Sequence, residues 1–212
     1  MKSDISCRRA LGVFASLIAG AVAAAPPDMA VSFGFEPRVG TFAGLDERLR
    51  AYGFAPVASP VMPTWGLRGR AFFAGGFFGA LTMTAGVRVT PGPAIPTTLS
   101  LTETTAGVGY HTSWGLFVSL EAGFSALTQS VSSTREGGAL VYLGPVVAPR
   151  VGWLRQFFEP FGWFIAASIG GNVHVPIGRA HTNPLWEEPF TRSTITSFTL
   201  TIESGLGYRS LR

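Results

Sequence analysis

The chain contains almost no cysteine or lysine and little charge of either sign. Of its 212 residues, Cys7 is the one cysteine and Lys2 the one lysine. Charged residues make up 13% of the chain, about half the share of an ordinary soluble domain. A single cysteine excludes a disulfide framework, and the scattered arginines form no basic stripe for nucleic acid. The low net charge of +4 and the 12% of aromatic residues exclude a disordered chain.

A long hydrophobic run is also missing beyond residue 30. A membrane-spanning helix needs roughly 18 consecutive apolar residues. Hydrophobic residues account for 47% of the chain, but in this region glycine, serine and threonine alternate with them. This dilution excludes a helical membrane protein and favours β-strands.

The first 25 residues have the pattern of a cleaved export signal. Lys2 and two arginines precede the apolar residues 10–25, which end in three alanines. The sequence therefore predicts a signal peptide at 1–25 and one mature domain at 26–212. Because the residues around the arginine pair fit the twin-arginine motif poorly, we expect export through the general secretory route.

Side-chain alternation predicts strands through most of the mature chain, because successive residues of a strand point to opposite faces. Apolar and small or polar residues alternate over a dozen positions or more in several segments. Pro145 and Pro149 interrupt one weaker segment, which predicts an irregular or rim-exposed stretch. The eight strand segments are 29–39, 64–75, 77–90, 97–112, 114–128, 139–155, 161–175 and 198–209. They predict an all-β fold, a single antiparallel up-and-down barrel of about eight strands.

Two further features concern the connections between strands. Residues 44–53 carry leucines at helical spacing among charged residues, which predicts one short helix between strands 1 and 2. It either caps the periplasmic mouth, the placement that we favour, or plugs the barrel. The long connections 91–96, 129–138 and 176–193 should lie together on one side, at the cell surface.

The two faces of the strands indicate the environment. One face carries large apolar residues, and the other carries glycine, alanine, serine, threonine and single charges. Small residues suit the interior of a narrow barrel, so the apolar face should contact lipid. The expected aromatic girdle is Trp65, Trp114, Trp163 and Tyr208. A soluble periplasmic barrel with the faces reversed is the alternative.

The charged residues of the small-residue face should then share the barrel lumen. Buried charges must pair or stay hydrated, and the arginines and glutamates here predict a ladder that holds the barrel closed. The network is Glu36, Arg38, Arg68, Arg70, Arg88, Glu121, Glu203 and Arg209, joined by Glu103, Arg150 and His174. The alternative is a slender conduit for small anions.

Catalytic and metal-binding motifs are weak. The three histidines are His111, His174 and His181. A lipid-modifying barrel enzyme would need histidine and serine at fixed positions, and no local motif supplies them. The loop histidine with Glu187 and Glu188 is too dispersed for a metal site. We therefore predict no catalytic residues, no metal and no cofactor.

The signal peptide, the alternation and the ending Gly205-Leu206-Gly207-Tyr208-Arg209 together resemble the small eight-stranded outer-membrane β-barrel proteins of Gram-negative bacteria. The resemblance covers nearly the whole mature chain, but this chain ends Leu211-Arg212 where those proteins usually end on an aromatic residue. It implies an outer-membrane protein that contacts outer-membrane lipid and the barrel-assembly machinery. We expect a monomer with a structural or surface-interaction role; the alternatives are a narrow channel or small-ligand carrier, a lipid-modifying enzyme, and the soluble barrel.

Overall fold

The structure, a computed structural model, describes residues 28–40, 61–90, 97–131, 138–158, 160–181 and 194–208. Eleven strands lie in these ranges, and they are labelled in chain order. They are β1 (Met29–Phe35), β2 (Arg38–Gly40), β3 (Val61–Met62), β4 (Thr64–Phe72), β5 (Phe77–Thr90), β6 (Thr97–His111), β7 (Leu116–Val131), β8 (Gly138–Phe157), β9 (Phe161–His174), β10 (Gly178–His181) and β11 (Ile195–Tyr208). In the same ranges, no helix is both long and apolar enough to cross a membrane.

The strands form a closed antiparallel barrel. Each of β1, β4, β5, β6, β7, β8, β9 and β11 pairs with the next strand in that order, and β11 pairs with β1. The predicted all-β fold with eight barrel strands is therefore confirmed.

Two of the barrel strands are longer than their labels suggest, because proline interrupts them. β2 pairs with β11 in the same register as β1 does, and β3 pairs with β2 in the register of the β1–β4 pair. Pro37 and Pro63 lie at the breaks, where a residue without an N–H cannot donate to the ladder. The first barrel strand thus runs from Met29 to Gly40.

The closure is staggered by ten residues. Moving from each residue to its paired residue on the next strand leads once around the barrel from Arg38 to Phe72. The N–H of Phe72 donates to the carbonyl of Asp28, so the path returns to the first strand ten residues before Arg38. The path passes through Thr199, Gly170, Arg150, Ser119, Gly109 and Phe78. With the usual strand spacings this stagger tilts the strands by about 40° from the barrel axis.

The prolines of β8 do not break the strand, and the expected irregularity is confined to one of its two ladders. β8 pairs with β7 from Leu116↔Trp153 to Val131↔Gly138, through both Pro145 and Pro149. The carbonyl of Pro145 accepts a hydrogen bond from Val175, so its missing N–H faces β9. The β8–β9 ladder accordingly lacks paired residues at 148 and 149.

The barrel has two different ends. The turn end carries Asp28, Tyr208 and the tight hairpins β4–β5, β6–β7 and β8–β9. The opposite, loop end is where the connections 91–96, 132–137 and 182–193 join their strands, as the sequence predicts for the long connections. Residues 129–131 of the predicted loop belong to β7, residue 138 to β8 and residues 178–181 to β10.

The predicted short helix belongs to the connection between the first two barrel strands. Residues 44–53 lie outside the described residues, but Gly40 and Val61, which flank the connection 41–60, are at the loop end. The predicted helix and its two placements, a cap or a plug, therefore lie outside the part of the chain that the structure describes. In the described part of the chain the one helical turn is a 3₁₀ turn at Ala74–Gly76, in the β4–β5 hairpin. Gly75 and Gly76 have φ of 82° and 85° there, a conformation that favours glycine.

Candidate functional site: the filled lumen

The turn end of the lumen is closed by apolar side chains. Phe78 packs against Phe72 with ring centroids 5.4 Å apart and against Phe117 at 6.0 Å. The buried cluster consists of Ala30, Phe78, Ala80, Phe117, Leu154, Phe164 and Ala166, with Phe72 partly buried against it. We call this cluster the aromatic plug. Its side chains fill this end of the lumen among the described residues.

Arg70 joins the aromatic plug to the charges that follow it. Its guanidinium carbon lies 5.5 Å from the ring centroids of both Phe117 and Phe164, within the range of cation–π contacts. The same guanidinium donates from Nη1 to Oε2 of Glu203 at 2.7 Å and from Nη2 to Oε1 at 2.9 Å. This two-point contact fixes the carboxylate against the aromatic plug.

Glu203 is the first acceptor of a charge network that fills the middle of the lumen. Besides Arg70 it accepts a short hydrogen bond from Arg68 and one of 2.7 Å from Ser32. Arg68 donates from Nε to Thr82 at 2.8 Å. Glu203 and its arginines are each at most 4% exposed. The charge is therefore satisfied by fixed donors, as a buried carboxylate requires.

Two further carboxylates continue the network toward the loop end. Oε2 of Glu121 accepts hydrogen bonds of 2.9 Å from Thr82 and Thr105. Oε1 and Oε2 of Glu36 accept from Arg150 Nη2 at 3.2 Å and Nη1 at 3.0 Å. Arg150 Nε lies 3.7 Å from Oε1 of Glu121. The glutamates on the first and fifth barrel strands are thus held by one arginine.

The part of the network nearest the loop end is centred on Arg38. Its Nη1 and Nη2 donate to the carboxylate of Glu103 at 2.8 and 3.0 Å, and Nη2 also donates to Glu36 at 3.0 Å. Asn172 donates to Oε1 of Glu103 at 2.9 Å. The ion pairs among the described lumen residues therefore join four arginines and four glutamates: Arg38, Arg68, Arg70, Arg150, Glu36, Glu103, Glu121 and Glu203.

Inward-facing glycines make room for this network. A Cβ at Gly34 would lie 2.8 Å from Cγ of Glu203, and one at Gly107 would lie 2.9 Å from Cγ of Glu121. Both distances are shorter than van der Waals contact. At Gly34 the missing side chain therefore makes room for Glu203, whereas at Gly107 the nearest atom is the backbone oxygen of Leu120.

The structure places most of the predicted lumen residues together. Glu36, Arg38, Arg68, Arg70, Glu121 and Glu203 are buried in the network with the added Glu103 and Arg150. Arg88 is only half-buried near the loop end of β5 and is outside the ion pairs given above. Arg209 lies outside the described residues. His174 contacts Ser125 rather than a carboxylate.

Sequence reasoning missed the hydroxyl donors of the network and the whole aromatic plug. In the sequence, Phe117 breaks the alternation of residues 114–128, as Leu127 also does. Phe117 is 3% exposed and faces the lumen. The second lumen histidine, His111, also lies here, with its ring centroid 5.7 Å from that of Phe72. Among the described residues, no three potential metal ligands of the His, Cys, Asp and Glu types are grouped.

The outer face of the barrel is apolar, and aromatic residues lie toward its edges. Trp114, Trp163 and Tyr208 are exposed at the turn end, where Tyr208 stacks near Phe161 at 5.1 Å. Trp65 lies toward the other end, 5.9 Å from Phe35. We call this surface the apolar belt; it also includes Met29, Val31, Phe33, Leu67, Leu81, Met83, Val108, Val118, Leu120, Phe124, Ile165, Ile169, Phe198, Leu200, Ile202 and Leu206.

Comparison with solved structures identifies the architecture. The attachment invasion locus protein Ail of Yersinia pestis, in complex with the heparin analogue sucrose octasulfate, superposes with a TM-score of 0.57 at 10% identity. The match covers 85% of this chain and 98% of Ail. A second structure of Ail gives a TM-score of 0.55 over the same shares at 10% identity. The Neisserial surface protein NspA gives 0.50 at 10% identity over 85% of this chain and 97% of its own.

No protein-family model and no curated protein sequence matches the chain. At 10% identity the structural similarity concerns the fold, and it agrees with the resemblance that the sequence shows. The chain has the fold of the small eight-stranded outer-membrane β-barrels.

Proposed function

We propose that the protein is a bacterial outer-membrane β-barrel with a filled lumen and a surface-interaction role at its loop end. The apolar belt carries this proposal. Phe198 and Tyr208 lie on its two edges, ten residues apart on β11. At about 3.4 Å per residue and a tilt of about 40°, the belt is about 25 Å high. This is the height of the lipid-facing band of outer-membrane barrels.

The faces of the barrel disfavour the soluble alternative. Ile202 is 60% exposed and Phe124 is 66% exposed, whereas Glu121 and Glu203 are at most 2% exposed. A soluble barrel buries the first kind of residue and exposes the second. Cell fractionation tests the location: we expect the protein in the outer-membrane fraction, with a gel mobility that changes on heating. Recovery in the periplasm without detergent would refute the membrane assignment.

The filled lumen disfavours a channel or carrier. The aromatic plug closes the turn end, and the eight charges neutralise one another across the middle of the barrel. Purified protein in a planar bilayer should therefore give no conductance steps. Reproducible single-channel steps from the wild-type protein would exclude the filled lumen.

The buried histidines disfavour a lipid-modifying enzyme. His111 is 4% exposed and His174 is 6% exposed, and both face the lumen, whereas a lipid substrate would lie against the outer face or the rim. Host cells expressing His174→Ala should keep an unchanged lipid profile. A change in lipid composition that follows the histidine and not the amount of folded protein would favour the enzyme.

In a surface-interaction role, the binding surface consists of the four connections at the loop end. The sequences 41–60, 91–96, 132–137 and 182–193 contain four arginines and five carboxylates. This balance does not suit a polysulfated ligand such as the one bound to Ail, so we do not extend that ligand to this chain. An epitope inserted in 182–193 should be accessible to antibody on intact cells. Labelling only after lysis would contradict this orientation.

The remaining elements of the proposal follow from membrane insertion. The protein leaves the cytoplasm by the general secretory route, contacts outer-membrane lipid and the barrel-assembly machinery, and works as a monomer. Cross-linking of detergent-extracted protein tests the last point, and a dominant dimer band would contradict it.

A further inference from the structure

A small cavity lies between the charge network and the loop end of the lumen. Its volume is about 20 Å³, which is room for one or two water molecules. The polar part of its lining is Arg38, Glu103, Asn172, His174 and Ser197, and the apolar part is Leu101, Leu127 and Ile195. The aromatic plug separates this cavity from the turn end of the barrel.

Three polar atoms of the lining residues have no hydrogen-bond partner among the described residues. They are Nε of Arg38, Oδ1 of Asn172 and Nε2 of His174. The three residues are 3%, 3% and 6% exposed. A buried polar atom without a partner costs about 1–3 kcal/mol, and native proteins satisfy nearly all such atoms with protein groups or ordered water. Three of them on residues that line one cavity therefore point to a bound molecule.

The chemistry of the lining selects a neutral molecule. Arg38 already shares its charge with Glu103 and Glu36 at 2.8–3.0 Å. An anion would meet the carboxylate of Glu103, and a cation would meet the guanidinium of Arg38. The molecule must accept a hydrogen bond from Arg38 and donate one to Asn172, whose amide nitrogen is already used on Glu103.

We propose that this cavity is a site for an ordered water molecule that links Arg38, Asn172 and His174. Water suits either tautomer of the histidine. Nδ1 of His174 contacts the hydroxyl of Ser125, which also lies 3.5 Å from the carbonyl of Gly144. Nε2 is then a donor or an acceptor according to the direction of that contact, and a water molecule pairs with both. The water extends the charge network to the Ser125–His174 pair on β7 and β9.

A crystal structure of the detergent-purified protein at 2 Å resolution or better tests the site. We expect a water peak within about 3.2 Å of His174 Nε2 and Asn172 Oδ1. An empty cavity, or direct protein partners on both atoms, would overturn the proposal. This test needs no variant, and its outcome is independent of where the protein is located in the cell.

Two histidine variants sharpen the test. His174→Phe keeps a ring in place but removes Nε2, so the water peak should be lost or should move away from position 174. The matched control is His111→Phe, which changes the other buried lumen histidine next to the aromatic plug and should leave the water in place. A peak that is unchanged in His174→Phe would show that the histidine does not hold the water.

Discussion

Glu203 offers a direct test of whether the lumen charges stabilise the barrel as a network. Among the described residues, Glu203 is the carboxylate that forms an ion pair with Arg70, and it also pairs with Arg68. The substitution Glu203→Gln keeps the size of the side chain and a hydrogen-bond acceptor for Ser32, but removes the negative charge. Arg68 keeps Glu36 at 3.6 Å and Glu121 at 3.7 Å. The substitution therefore leaves mainly Arg70 without an ion-pair partner among the described residues.

The magnitude follows from the burial of the pair. Both side chains are 2% exposed, and removing one partner of such a buried pair typically costs about 3–5 kcal/mol. The contacts of Arg70 with Phe117 and Phe164 remain, so we expect the lower end, about 3 kcal/mol of unfolding free energy. Replacing both partners removes the unpaired charge, and the double variant Arg70→Met with Glu203→Gln should regain at least half of the loss.

Urea unfolding of the refolded barrel in detergent micelles, followed by tryptophan fluorescence, measures these differences, and heat-dependent gel mobility verifies that each variant folds. A single variant within about 1 kcal/mol of the wild type would mean that water already solvates these charges. A double variant no more stable than the single one would mean that the cost does not come from the unpaired arginine. Either result would refute the network argument.

Two further substitution pairs test the lipid contact and the aromatic plug. Ile202→Arg, near the middle of the apolar belt, should lower the unfolding free energy in phospholipid vesicles by about 2–4 kcal/mol. The control Thr98→Arg, near the loop end of β6, should lower it by about 0–1 kcal/mol. Equal losses in the two variants would argue against a bilayer around the belt. Phe164→Ala removes a fully buried ring of the aromatic plug and should cost about 3–5 kcal/mol, measured by the same urea unfolding. Phe161→Ala changes an exposed ring at the turn end and serves as its control; a similar loss in both would contradict the aromatic plug.

The strands were predictable because the two faces of this barrel differ so sharply. In residues 161–175 the outward positions include Phe161, Trp163, Ile165 and Ile169, and the structure places all four on the exposed face of β9. The alternation persists even in β8, where two prolines suggest a break. The ladder with β7 does not need their N–H groups, and a sequence does not reveal which neighbour those groups would face.

The contents of the lumen were only half predictable, for a geometric reason. Alternation shows which face a side chain occupies, but not its height along the barrel axis. That height depends on the stagger of ten residues, which is known only from strand pairing. Glu36 and Arg150 are 114 positions apart in sequence, and Phe117 and Phe164 meet Arg70 for the same reason. The aromatic plug and the charge network share one face, and only register separates them into layers.

The absence of lysine from residues 26–212 agrees with this interior. Arg38 and Arg150 each donate from both Nη atoms to the two oxygens of one carboxylate, as Arg70 does. A planar guanidinium matches two carboxylate oxygens in a fixed plane, whereas an ammonium group is a compact, strongly hydrated charge. The arginines and glutamates of the network are at most 4% exposed, so an ammonium group in their place would lose its hydration. An arginine-only interior is therefore the composition that can pair four glutamates in so narrow a space.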